Sequence, residues 1–259
     1  MSEPLDIHRL NTEGWDARVR EGDVWTLPVT TEQIARAREG DWSVLLTSPT
    51  PVPREWFGEV EGARILALAS GGGQQAPILA AAGARVTLLD ASPGQLATDR
   101  RVAEREGLDI RIEQGLMHDL TRFEDGSFDL IFHPVSNCYA PEVRPVWREA
   151  FRVLRPGGAL LAGFMNPAAY VFDPIAEERG ELVPRFSLPY SDTQDLTPEE
   201  LTQVREEFHT VEFSHTLGDQ IGGQLEAGFH LVGLYEDHEP RRPVTRLMPD
   251  MIATRALKP

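Results

Sequence analysis

Between about residues 60 and 165, short apolar runs alternate with amphipathic stretches. The first run, Arg64 to Ala69 (RILALA), is almost entirely apolar and leads through SGGGQQ into an Ala-rich stretch that ends near Ala82. A continuous apolar run is typical of a strand that is covered on both faces. The order of strand, glycine-rich turn and helix predicts the first step of a parallel sheet with crossover helices.

The same alternation continues along the chain. Further strands are predicted at residues 85–89, 110–114, 128–132 and 159–164, with helices at 92–107 and 142–154 between them. Ser92 and Gln95 have the spacing of a capping box, and Pro93 stands at the first helical position. These signals predict a doubly wound α/β sheet.

The two ends of the chain follow other patterns. Residues 1–60 hold four tryptophans and one predicted helix, Thr31 to Glu39, and we interpret them as an N-terminal cover. Residues 166–205 are rich in proline and acidic residues, which indicates a lid inserted after the 61–165 core. We interpret residues 206–259 as a C-terminal helix and two strand-like segments, 228–234 and 251–257, that should pair antiparallel as a hairpin and complete the sheet. We therefore predict a single domain.

Composition narrows the functional classes. The 41 acidic and 25 basic residues give a formal net charge of −16, which argues against a nucleic-acid substrate. Cys138 is the single cysteine, so neither an internal disulfide nor a thiolate zinc cluster is expected, and no metal site is predicted. The start of the chain has no signal-peptide pattern and no apolar run is long enough for a membrane span. We expect a cytoplasmic protein, a monomer or homodimer, that acts on a small molecule.

The glycine-rich turn and Asp90 indicate a ligand site. The turn presents free backbone N–H groups and a helix start at the edge where open α/β sheets bind ligands. Asp90 ends the neighbouring strand, and a carboxylate there can accept hydrogen bonds from both hydroxyls of a ribose. Gly71, Gly73 and Ala76 together with Asp90 also fit the fingerprint of a nicotinamide-dependent dehydrogenase, so these residues alone leave both classes open.

Motifs further along the chain favour one class. Phe128-Asp129-Leu130-Ile131 is followed by Arg152-Val153-Leu154-Arg155-Pro156-Gly157-Gly158, and then by Glu226-Ala227-Gly228-Phe229. In this order the set resembles the class I S-adenosylmethionine-dependent methyltransferases, especially the small-molecule branch related to quinone-biosynthesis enzymes. The resemblance implies S-adenosylmethionine as cofactor. It also implies a Rossmann-like, seven-stranded, mostly parallel sheet whose last strand is antiparallel.

The resemblance also implies which residues hold the cofactor. The turn from Ala69 to Gly73, including Ser70 and Gly71, should bind the methionine part, and Asp90 with its neighbour Ala91 should bind the ribose. Gln95 should lie near the adenosine, and the loop from Gly115 to Asp119 should pack Leu116 and Met117 against the adenine. His133 is expected just past the fourth strand, on the face where the methyl group is transferred.

Catalytic and substrate residues are expected around the same strand end. If the acceptor is a hydroxyl, thiol or ammonium, a base must take its proton, and His133 is the first candidate with Tyr139 behind it. Asn137 and Tyr139 should line the acceptor site, and Asn11 and Trp15 could fold over it from the N-terminal cover. Each of these side chains has a plain structural interpretation as well.

Two motifs depart from the family pattern, at three positions. Ala67 and Ala69 stand where the family usually has an acid and a glycine, and Leu116 stands where it usually has an acid. These departures leave two alternatives open: a catalytically silent protein that binds S-adenosyl ligands, or, with less support, a nicotinamide-dependent oxidoreductase.

Overall fold

The structure is a computed structural model that describes residues 5–259; the first four residues of the predicted cover, 1–4, lie outside the described residues. Within residues 5–259, seven strands form one sheet in the order β3-β2-β1-β4-β5-β7-β6. The strands are β1 (Arg64–Leu68), β2 (Arg85–Asp90), β3 (Ile110–Gln114), β4 (Phe128–His133), β5 (Leu154–Met165), β6 (His230–Asp237) and β7 (Met251–Leu257). Strands β1 to β5 are parallel, whereas β7 pairs antiparallel with both β5 and β6. The predicted fold class is confirmed.

Helices cover both faces of the sheet and its carboxyl edge. They are α1 (Ile7–Glu21), α2 (Thr31–Arg38), α3 (Gln75–Ala81), α4 (Pro93–Glu106), α5 (Arg144–Val153), α6 (Pro174–Glu178), α7 (Asp192–Asp195), α8 (Pro198–Phe208) and α9 (Gly223–Ala227). A short π-helical turn, Gly218–Gly222, leads directly into α9. No helix within residues 5–259 combines the length and the apolar character needed to cross a bilayer.

The core follows from the alternation of side chains along the strands. In β1, Ile65 and Ala67 belong to one buried apolar cluster, and Leu66 and Leu68 belong to a second one on the opposite face. Successive side chains of a strand point to opposite faces, so a strand that is apolar throughout must be covered on both. This arrangement buries the whole of β1 after Arg64 and leaves only its carboxyl end open to a ligand.

The start of α4 differs from the predicted capping box. Ser92 Oγ accepts the backbone N–H of Gln95 at 3.0 Å, as expected for an N-cap. The Gln95 side chain, however, turns toward the glycine-rich turn, where a Cβ on Gly72 would lie 2.9 Å from Gln95 Oε1. Gln95 is therefore available to the ligand site rather than to the helix.

The sequence pattern missed α1. Its buried positions are Leu10, Asn11 and Gly14, so the face that packs carries only one large apolar side chain. Gly14 lies so close to the carbonyl of His209 that a side chain there would clash with it. Asp16 Oδ1 accepts the hydroxyl of Ser92 at 2.6 Å and the N–H of Gly94 at 2.8 Å, which ties α1 to the start of α4. Close packing and polar contacts hold this helix, and neither produces an amphipathic sequence.

Candidate active site

One cavity of about 810 Å³ opens at the carboxyl ends of the central strands. Its walls include the turn after β1, the end of β2, the loop after β3 and the loop after β4. Segments outside the sheet close it from above, namely α1, residues 166–217 and the connection between β6 and β7. We call the part beside β1, β2 and β3 the inner compartment, and the part between α1, Tyr139 and Tyr170 the outer compartment.

Two carboxylates hold the glycine-rich turn in the inner compartment. Gly71 N–H donates to Asp90 Oδ2 at 2.9 Å, and Gly72 N–H donates to Asp99 Oδ2 at 2.8 Å. Gly72 has a φ of 106°, which side chains rarely permit. A Cβ on Gly71 would lie 2.7 Å from the Cβ of Gln95. Glycine is required at Gly72 because of its backbone conformation, and at Gly71 because of its close approach to α4.

Most predicted cofactor residues lie together on the wall of the inner compartment. Those that line it are Ala69, Ser70, Gly71, Asp90, Ala91, Gln95, Leu116 and Met117. Gly73 is not among the lining residues, because it faces Pro28, Thr98 and Val102. Its role is to let the chain turn into α3, as its φ of 71° indicates.

Asp99 holds the glycine-rich turn from beneath, a contact that the sequence pattern did not predict. Its side chain is fully buried on α4 beneath the turn, and its second oxygen, Oδ1, has no hydrogen-bond partner among residues 5–259. Burial raises the pKa of Asp99 to about 7, against the opposing effect of the backbone N–H groups of Gly73 and Gly72. Burial also raises the pKa of Asp90, which accepts the N–H groups of Ser92 and Gly71.

The outer compartment has aromatic walls from distant parts of the chain. Trp15 on α1 meets Tyr139 edge-on, with ring centroids 5.3 Å apart, and Tyr170 stacks on Tyr190 at 5.8 Å. The Asn11 amide donates to the carbonyls of Tyr139 at 2.9 Å and Val211 at 3.0 Å. Asn11, Trp15 and Tyr139 therefore line the cavity as expected, although the Asn11 amide is occupied by backbone groups.

His133 and Asn137 do not line the cavity, which corrects the expectation that they would. His133 is the last residue of β4 and is fully buried. Its Nδ1 lies 2.9 Å from Leu68 O, and its Nε2 lies 2.7 Å from Asn137 Oδ1. The Asn137 amide in turn donates to Gln220 Oε1 at 3.0 Å, in the π-helical turn. Burial lowers the pKa of His133. A neutral imidazole has a single N–H, so it can donate to only one of these two oxygens. Both ring nitrogens are enclosed by these contacts, which brace the end of β4, and neither is open to a substrate.

The outer compartment also contains acidic residues that the sequence analysis did not connect with it. Glu212 is half-buried, and its Oε2 accepts the hydroxyl of Tyr170 at 2.6 Å. Asp192 accepts the hydroxyl of Tyr190 at 2.6 Å and the backbone N–H of Glu212 at 2.6 Å. Glu212 lies in a stretch without strand or helix periodicity, so its sequence context carried no signal.

A seven-stranded sheet of this order, with a glycine-rich turn after β1 and an acid at the end of β2, defines the class I methyltransferase fold. The structure is similar to an S-adenosylmethionine-dependent methyltransferase from Mesorhizobium loti, with a TM-score of 0.60 and 20% identity over 79% of this chain and 94% of that one. It is also similar to a putative S-adenosylmethionine-dependent methyltransferase from Listeria monocytogenes, with a TM-score of 0.58 and 16% identity over 80% and 94% of the two chains.

Sequence comparison identifies the family. The sequence model of the family described as "Methyltransferase domain" matches residues 66–162 of this chain. "Uncharacterized methyltransferase YbaJ" of Bacillus subtilis is 47% identical over 88% of this chain and 89% of its own length. A ubiquinone biosynthesis O-methyltransferase of Xanthomonas euvesicatoria is 30% identical over 52% of this chain and 57% of its own length. The chain belongs to the methyltransferase family, and family and fold together imply S-adenosylmethionine as its cofactor.

The residues of the inner compartment fit that cofactor. Ser70 Oγ and Gln95 Oε1 are buried and have no hydrogen-bond partner among the described residues, although both side chains belong to the compartment wall. Buried polar atoms are rarely left without partners unless a ligand, ion or water satisfies them. Asp90 adds a carboxylate on the same wall, and its oxygens can accept further hydrogen bonds from a ligand beside those from Gly71 and Ser92, since a carboxylate oxygen accepts more than one.

Proposed function

We propose that the protein transfers a methyl group from S-adenosylmethionine to a small-molecule acceptor by in-line displacement. The observation that supports this proposal is the continuity of the cavity, which runs from the turn and Asp90 to Trp15 and Tyr139. Its volume of about 810 Å³ lies within the range of small-molecule sites. A polymeric acceptor would need an open groove instead of a cavity covered by α1 and residues 166–217.

The inner compartment would hold the cofactor through a few polar groups. Asp90 would accept hydrogen bonds from the ribose hydroxyls. Ser70 Oγ and Gln95 Oε1, which have no partner among the described residues, would form hydrogen bonds with the cofactor nearby. Leu116 and Met117 would pack against the adenine. When bound, S-adenosylmethionine supplies a methyl group already activated on a sulfonium. The chain itself then has to orient the acceptor and exclude water.

The outer compartment would orient the acceptor. Burial raises the pKa of Tyr139 well above its ordinary value, so this phenol keeps its proton near neutral pH and acts as a hydrogen-bonding group rather than as a base. The Arg18 guanidinium lies 3.5 Å from the Tyr139 hydroxyl and stacks over Trp15 at 4.6 Å. We therefore assign Tyr139 to acceptor positioning and do not use His133 as a base.

A binding panel tests the proposal. S-adenosylmethionine and S-adenosylhomocysteine should raise the melting temperature, whereas NAD and NADP should not, because a ligand that binds only the native state stabilises it by mass action. Asp90→Asn should weaken S-adenosylhomocysteine binding by tenfold or more in calorimetry, since a charge-assisted hydrogen bond contributes about 1.5–3 kcal/mol. Binding of a nicotinamide dinucleotide alone would refute the proposal.

A further inference from the structure

Glu212 is a carboxylate of the outer compartment with one oxygen free to bind a ligand. Its Oε2 accepts the Tyr170 hydroxyl, but Oε1 has no hydrogen-bond partner in residues 5–259 and the side chain lines the cavity. Each oxygen of Asp192 already accepts one hydrogen bond, from the Tyr190 hydroxyl or from the N–H of Glu212, whereas Glu212 Oε1 accepts none from residues 5–259. A half-buried carboxylate is stabilised by hydrogen-bond donors or by a cation, and residues 5–259 give the Glu212 side chain one donor, the Tyr170 hydroxyl.

Three of the four arginines on the cavity wall are paired with carboxylates other than Glu212. Arg18 donates to Asp23 at 2.9 Å, and its interaction with Glu212 is a long-range electrostatic attraction without a hydrogen bond. Arg242 donates to Glu177 at 2.9 Å and to Asp250 at 3.2 Å. Arg241 is paired with Glu239 at 2.7 Å, and Arg246, the remaining guanidinium on the wall within the described chain, is exposed to solvent. None of these arginines forms an ion pair with Glu212.

The surroundings of Glu212 are aromatic. Its negative charge contributes to raising the pKa of Tyr139, Tyr170 and Tyr190, after the larger effect of burial, so all three phenols lie near it. Trp15 packs against Tyr139 on the same wall. Aromatic faces attract cations, and a free carboxylate among them gives a positively charged amine both a direct partner and a favourable lining.

We propose, on the basis of the function above, that the methyl acceptor is a small amine whose nitrogen is bound by Glu212 Oε1. The nitrogen must first release a proton to solvent, which frees its electron pair. The new nitrogen–carbon bond then forms as the carbon–sulfur bond breaks, and the sulfur keeps the electron pair of that bond. Positive charge thus moves from sulfur to nitrogen, and a carboxylate beside the nitrogen stabilises the charge that develops there.

Three probes with the same ring and linker but different end groups test the charge preference of the outer compartment. Tyramine, 4-propylphenol and 3-(4-hydroxyphenyl)propanoate share one ring and one linker and end in an ammonium, a methyl and a carboxylate group. Calorimetry on protein saturated with S-adenosylhomocysteine should show tyramine binding at least tenfold tighter than 4-propylphenol, and the carboxylate binding most weakly. Equal affinities, a preference for the neutral or anionic probe, or no tyramine binding at millimolar concentration would overturn the proposal.

Variants at Glu212 test the residue itself. Glu212→Gln keeps an acceptor for Tyr170 and removes the charge, so it should abolish the tyramine preference, and Glu212→Asp should retain it. Glu206→Gln on the exposed side of α8 removes the same charge away from the cavity and should change nothing. Retention of the preference in Glu212→Gln would refute the role of Glu212. S-adenosylhomocysteine affinity is measured first: if it is absent in the wild type, the proposed methyltransferase function fails, and if it is present without an amine preference, only this inference fails.

Discussion

At the scale of single residues, the buried carboxyl of Asp99 beneath the glycine-rich turn should make the stability of the protein depend on pH. Its pKa is about 7 in the folded protein against 3.8 for an ordinary aspartate, because burial disfavours the charged form. The folded state therefore holds this proton more tightly than the unfolded state does. The contribution of Asp99 to the free energy of unfolding decreases as the pH rises from 3.8 to about 7, and it is lost above that range.

Asp99→Asn should remove this pH dependence. Asparagine still offers an oxygen to the N–H of Gly72 but cannot ionise, so the variant should gain stability relative to wild type by roughly 1–3 kcal/mol between pH 5 and pH 8. Urea unfolding at the two pH values measures the difference. Asp109→Asn, at an exposed position just before β3, is the matched control. If wild type and Asp99→Asn show parallel profiles, the carboxyl is not buried as described.

His133 should matter for stability. His133→Ala removes both hydrogen-bonding contacts of a buried ring, with Leu68 O and with Asn137, and leaves a void, so it should lower the free energy of unfolding by about 2–4 kcal/mol. His230→Ala, on the exposed side of β6, should have little effect. Denaturant titrations of the two variants make the comparison, and equal stabilities would contradict the bracing role.

Some residues of the candidate site could be predicted from the sequence, and others could not. The place of Asp90 and Gly71 on the cavity wall was predictable, because a strand end and a glycine-rich turn can be located from the apolar runs beside them. Asp99 and Glu212 were not, because an acid on a helix or in a loop usually faces solvent, and only tertiary packing buries these two. His133 had the expected position in the chain, but its ring turns into the sheet instead of toward the cavity.

At the scale of elements, α1 is held by polar contacts. Asp16 accepts the Ser92 hydroxyl and the Gly94 N–H at the start of α4. Asp16→Ala should leave these donors without their partner, and backbone amides of residues 7–21 should exchange hydrogen faster while those of the sheet do not change. Glu13→Ala, on the exposed side of the same helix, is the control for hydrogen-exchange mass spectrometry. Unchanged exchange in Asp16→Ala would show that other contacts hold the helix.

The elements of the core were largely predictable, and those of the covers only in part. Strands β1, β2, β4 and β5 follow from apolar runs that are largely buried, and the predicted helix from Thr31 is present as α2 with a capping box at its start. The short helices α6 and α7 lie among prolines and polar residues and have only five and four residues. Segments of this kind take their conformation from the surface on which they pack, so the local sequence carries little of it.

At the scale of the whole molecule, the charge should exclude polyanions. With a formal net charge of −16, the protein repels phosphate backbones at long range, and the lining cations are paired with carboxylates except at exposed Arg246. A mobility-shift assay with transfer RNA at low salt should therefore detect no complex. A complex that weakens as salt is added would contradict this prediction and would reopen the question of a nucleic-acid acceptor.

The order of the sheet has a consequence for synthesis on the ribosome. β7 follows β6 in the chain but lies between β5 and β6, so β6 has no partner until β7 has left the exit tunnel. An unpaired strand with Val232 and Leu234 exposed on one face is open to association with other chains during that interval. The nascent protein should therefore depend most on chaperone protection after the parallel strands have formed and before its final strand is released.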